Sequence, residues 1–154
     1  MSFYANAIYL IGKTYVDFEA LYRINNAAAF FVTRAKETMR YRVVEQNFNI
    51  DETTELRTDR TVELTVVKSK RLYPELLRLI EFYDNESGEL LVFLTNNFKV
   101  SALEVANLYK NRWQIEVFFK WIKHFDLTPV IIDTTVPLFT HRELSTFATI
   151  LRTV

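Results

Sequence analysis

Cysteine is absent from these 154 residues, glycine occurs twice and proline three times. Without cysteine there are no disulfides and no thiolate metal ligands, and the cytoplasm is the expected compartment. Two glycines leave no room for a glycine-rich phosphate loop, and no nucleophile elbow or HExxH pair is present. Net charge is also lacking, with 19 Lys and Arg against 19 Asp and Glu, so no whole-molecule attraction to DNA is expected. No run of about 18 apolar residues occurs, so no membrane span is expected. Met1–Leu10 has neither a basic start nor a long apolar stretch, so no signal peptide is expected. The two histidines, His124 and His141, stand alone and are not expected to bind metal. What the chain does have is apolar bulk. Hydrophobic residues make up 49%, with 13 Phe and 8 Tyr, enough for one well-packed domain and too much for a disordered chain.

Ala7–Ile11 reads as a buried strand, and Asp17 as the cap of a helix running to Asn26 with Phe18, Leu21, Tyr22 and Ile24 as its apolar positions. Phe30–Thr33 reads as a second strand, so the unit fits a parallel pair with a crossover helix. Tyr41–Phe48, Thr61–Val67, Leu77–Tyr83 and Leu90–Thr95 read as further strands, the last two joined as a hairpin by Asp84-Asn85-Glu86-Ser87-Gly88. Charge is uneven here. TRAKETMRYR carries +3, and the block from Glu45 to Asp59 carries −4. The first is either a local basic surface or an ordinary solvated mixture.

Ser101 then opens a long helix to Lys123, with Glu104 completing a capping box. Within it, Tyr109, Arg112, Glu116 and Lys123 follow one another at spacings of 3, 4 and 7 residues. At about 100° per residue, the last three lie about 60°, 20° and 40° to one side of Tyr109. The four share one stripe, flanked by Leu108, Trp113, Ile115, Phe119 and Ile122. A carboxylate between two cations and a phenol is costly to bury on an apolar helix, and suits a metal and phosphates. The competing reading is a solvated stripe held by an Arg112–Glu116 i,i+4 pair. Trp113, Phe118, Phe119 and Trp121 suit a core or a base-stacking platform, with Trp113 best placed for DNA contact.

These runs have a likeness. YVDFEALYRINNAAAFFVTRAK, LVFLTNNF and NLYKNRWQIEVFFKWIK resemble bacterial insertion-sequence transposases of the DDE class, insertion-sequence-four group. The group's signature, Tyr-x2-Arg-x3-Glu-x6-Lys, is met by Tyr109, Arg112, Glu116 and Lys123. The resemblance covers roughly residues 7–123. It implies an α/β (α+β), ribonuclease-H-like fold with a β-rich insertion before the last catalytic helix. It also implies two-metal phosphoryl transfer, with three carboxylates holding Mg²⁺ or Mn²⁺. Glu116 matches the third carboxylate, a catalytic residue and metal ligand. Tyr109, Arg112 and Lys123 match residues that grip the phosphates of the transposon end.

Two departures shape the expectation. Relatives carry an aspartate after the first strand here, where this chain has Gly12, and Asp17 matches the helix cap instead. The family's first aspartate lies on a strand well upstream. The expected layout is a partial catalytic domain over 1–123, with the insert at about 40–96, and a divergent tail over 124–154 that the resemblance does not place. The expected function is a DDE transposase, binding and cleaving DNA at element ends, in a truncated, inactive copy that does not itself hold the metal. The alternatives are a non-catalytic module binding DNA or a full-length transposase, and a non-functional remnant. With the upstream strand missing, Ala7–Ile11 is expected to have an unpaired edge that invites self-association. The four signature residues are expected on one face, at least partly exposed.

Overall fold

The computed structural model describes residues 3–12, 17–111 and the strand at 130–132. Seven strands form one mixed sheet in the order β3-β4-β5-β6-β2-β1-β7. At its centre is the crossover unit: β1 (Ile8–Ile11), α1 (Phe18–Asn26) and β2 (Phe30–Arg34). The two strands are parallel, in register from Ile8↔Phe30 to Ile11↔Thr33. All four residues of β1 are buried, as an apolar strand covered on both faces requires. Asp17 caps α1 as expected, its carboxylate accepting from the Glu19 N–H at 3.0 Å.

The β-rich stretch comprises β3 (Tyr41–Gln46), β4 (Leu56–Leu64), β5 (Leu77–Asp84) and β6 (Glu89–Thr95), all antiparallel neighbours. β6 also lies antiparallel to β2, pairing Val32 with Thr95, so these strands extend the central sheet. The hairpin turn is where the sequence placed it, and Gly88 takes φ +70, the left-handed conformation that side chains resist. One expectation holds only in part: of Thr61–Val67, residues 61–64 are strand. β4 starts at Leu56 and ends at Leu64, and Val67–Leu72 forms a short helix, α2. The charged start of β4 looked like loop because Asp59 and Arg60 interrupt the apolar alternation. Asp59 is nevertheless inside, for a reason given below.

A second correction concerns the edge of β1. It is paired: β7 (Val130–Ile132) runs antiparallel beside it, from Ile8↔Ile132 to Leu10↔Val130. Three consecutive β-branched residues favour this, and the pairing satisfies β1 backbone groups that an open edge would leave exposed. The seven-stranded sheet thus ends at β3 and β7. The final helix expected at Arg142–Leu151 lies outside the described residues. No helix among the described residues is long and apolar enough to cross a membrane.

The sheet's two faces carry two cores. On one, Tyr9, Ile11, Phe31 and Leu94 pack with Leu21 and Ile24 of α1 and with Tyr73. On the other, Ile8, Leu10, Val32 and Phe93 pack with Ala102, Val105 and Ala106. The last three belong to a helix at residues 102–111, here α3. The result is a three-layer, mixed α+β arrangement with α1 and α3 on opposite faces.

Candidate active site

The segment joining β6 to α3 is fixed almost entirely by side chains. Thr95 Oγ1 donates to Phe31 O at 2.5 Å and accepts from Asn97 N at 3.0 Å. The Asn96 amide continues the sheet as a backbone peptide would, accepting from Phe31 N at 2.9 Å and donating to Ala29 O and the Asn25 side chain. Asn97 Oδ1 accepts from the N–H groups of Lys99 and Val100, closing the turn. The capping box then forms as expected, Glu104 N donating to Ser101 Oγ at 3.1 Å and Ser101 N to the Glu104 carboxylate at 2.7 Å.

From the other side the segment meets a buried ion pair that the sequence did not announce. Arg78 of β5 donates two hydrogen bonds to Asp59 of β4, Nε to Oδ1 and Nη2 to Oδ2, each 2.8 Å. Its remaining Nη1 donates to the carbonyls of Asn97 at 3.1 Å and Val100 at 2.6 Å. Both residues are buried. Burial alone pushes the Asp59 carboxyl up; the hydrogen bonds and charge of Arg78, helped by Asn47, outweigh it, and the net direction is down. The folded-state pKa thus lies below the unfolded one. The stabilisation is present above the ordinary Asp value, about 3.9, and is lost as pH falls through the folded value. Urea midpoints of the wild type are therefore expected to drop in acid more steeply than those of Asp59→Asn. Equal slopes would contradict the assignment.

The inward face of α3 carries Ala102, Val105 and Ala106, all buried, and Tyr109 continues it one turn on. Tyr109 is half-buried, its ring 5.0 Å from that of Phe93 and tilted by 49°. The stripe read from the sequence therefore begins on the side of the helix that faces the sheet. Lys110, on the flank, forms an ion pair with Asp84 at 3.1 Å and lies over the Phe82 ring. The other signature positions, Arg112, Glu116 and Lys123, and the candidate DNA contact Trp113 lie outside the described residues.

At the carboxyl end of β1, Gly12 offers no side-chain oxygen, and the Asp17 carboxylate is engaged in capping. Among the described residues no group of three His, Cys, Asp or Glu side chains is placed to hold a metal. Cations do gather on the loop after β2. Arg42 is taken by Glu63, with Nε at 2.9 Å. Arg34, Lys36 and Arg40 form no ion pair among the described residues. Lys36 and Arg40 line a cleft of about 230 Å³ with Phe18 of α1, Ser69 of α2 and Leu94 of β6.

The sequence reading missed the roles of Thr95, Asn96, Asp59 and Arg78. The run Thr95-Asn96-Asn97 was a usable signal, because three polar residues directly after an apolar strand need partners. In sequence Asp59 is one charge of the block that carries −4.

A parallel β-α-β unit with α1 and α3 on opposite sheet faces defines a mixed α+β domain, and comparison with known proteins gives its family. Residues 6–148 match the family described as "Transposase DDE domain", so the chain belongs to the DDE transposase family. It is 37% identical over 122 residues to a Sinorhizobium fredii protein carrying the name transposase y4zB, covering 77% of this chain and 34% of that protein. It is 27% identical over 132 residues to a Geobacillus stearothermophilus protein named as a transposase for insertion sequence element IS5377, covering 85% of this chain and 34% of that protein. The chain thus spans about a third of the length of these curated relatives. No solved structure matches it. The family match runs through residue 148, past Lys123 and into the segment that the resemblance did not place.

Proposed function

We propose that these residues are the later part of a DDE transposase catalytic domain of the insertion-sequence-four group. In this reading the sheet around β1 and β2 is the ribonuclease-H-like part, and β3–β6 is the β-rich insertion before the last catalytic helix. α3 opens that helix, and its continuation carries Glu116 as the carboxylate and metal ligand. Tyr109, Arg112, Lys123 and Trp113 face the phosphates and bases of the element's end. The observation that carries this is the place of Tyr109: the first signature residue lies on the sheet-facing side of α3, against Phe93.

The metal is a separate question. Mg²⁺ and Mn²⁺ need several oxygen ligands each. By the resemblance, Gly12 stands where the family carries an aspartate, and Asp17 is engaged as a cap. Of the carboxylates proposed for the site, Glu116 alone supplies too few oxygen ligands for two such ions. In this reading the chain contacts DNA through the signature residues and the cations of the β2–β3 loop, alone or beside a second transposase chain.

Two measurements test this. Titration of labelled duplexes, of mixed sequence and of element ends, is expected to give dissociation constants on the order of 10⁻⁴–10⁻⁶ M, weakening as salt rises. Lys36→Glu with Arg40→Glu is expected to weaken binding further. Nanomolar, sequence-specific binding would sink the remnant reading. In a nicking assay with Mg²⁺ or Mn²⁺ the 154-residue chain is expected to cut no more than buffer. Cutting that disappears in Glu116→Gln would show that the catalytic set is complete after all.

A further inference from the structure

We infer that the buried Asp59–Arg78 pair is a positioning device, through which the outer strands of the sheet set the start of α3 and so aim the signature stripe. The inference rests on the reading of α3 as the signature helix.

Consider what Arg78 does with its nitrogens. Two hold Asp59, which fixes the guanidinium plane; the third reaches the Asn97 and Val100 carbonyls, directly before the Ser101 cap. An ion pair kept only for stability has no need of that third contact. A well-packed apolar pair of similar volume does as well for stability, or better. No apolar pair can donate to two carbonyls.

The register shows why this residue reaches the helix. Arg78 sits opposite Thr61 on one side and Thr95 on the other, two residues before Asn97. Asp59 is its diagonal neighbour across β4, on the sheet face that carries α3. Asn47, after β3, adds a bond to Asp59 Oδ2 at 3.3 Å. A chain of polar contacts thus runs from the end of β3 through β4 and β5 to the α3 cap. From the opposite side, Thr95 and Asn96 tie the same segment to β2 and α1. The helix start is held between the two halves of the sheet. Tyr109 lies two turns beyond that cap, so a small rotation there carries through to the stripe.

Arg78→Lys and the double variant Asp59→Leu with Arg78→Met test this in the full chain. The double variant removes the tether and both buried charges together, and Arg78→Lys keeps the charge but has one nitrogen in place of three. In both, amide hydrogen exchange at residues 105–111 is expected to speed by about tenfold or more while β1 and β2 amides keep their protection. Emission from Trp113 and Trp121, the only two tryptophans, is expected to shift with it. If the double variant does not fold, Arg78→Lys decides alone. Unchanged exchange at 105–111 in a folded variant overturns the positioning role, whatever happens to DNA affinity. Faster exchange in a variant of a wild type that never binds DNA leaves positioning standing and removes the transposase reading of the stripe.

Discussion

Arg78→Ala is expected to cost about 3–5 kcal/mol of folding stability, because it leaves the Asp59 carboxylate buried with no cation. Two loop carbonyls also lose their donor. For a chain of this length that is a fall in melting temperature of roughly 10 °C. Urea denaturation of the single and double variants checks the mechanism. Removing both charges, as Asp59→Leu with Arg78→Met, is expected to recover most of the loss, since the penalty lies in the orphaned charge. A single variant within about 1 kcal/mol of wild type would mean that water or a neighbouring group satisfies Asp59.

Phe93→Ala is expected to be comparably severe. The ring is fully buried in the core beneath α3, and removing such a ring costs about 3–5 kcal/mol in transfer and cavity terms. It also takes away the aromatic neighbour of Tyr109, a contact worth about 0.5–1.5 kcal/mol beyond its area. Phe93→Leu keeps most of the volume and is expected to cost about half as much. Tyr109→Ala on the Phe93→Ala background then measures the pair directly. Strict additivity of the two single changes would show that Tyr109 does not depend on Phe93, and that its inward placement contributes nothing.

Much of the fold was legible because its signals are short-range. Asp17 marks the start of α1, Ser101 and Glu104 mark that of α3, and Gly88 closes the β5–β6 turn; each acts within about four residues of chain. β1 and β2 could be read as buried because apolar runs of four or five residues suit strands covered on both sides. The resemblance to the family was equally accessible, being carried by short runs of residues. The candidate site was legible only as a proposed set of residues, of which the described structure places Tyr109. Its supports were not, since Thr95 and Asn96 bond to residues more than sixty positions away.

The sequence by itself determined most of the secondary-structure units, the apolar faces that must be covered, and the DDE transposase family. Beyond the β1–β2 pair and the β5–β6 hairpin, tertiary structure decided which strands are neighbours. It put β6 beside β2, and it gave the outer edge of β1 a partner in β7. It also reversed the meaning of Asp59, from one charge in an acidic block to the buried anchor of Arg78. The physical reason is one of range. Caps, turns and helical spacing are settled by neighbours along the chain, whereas a buried charge is tolerable only where register brings its partner across from another strand.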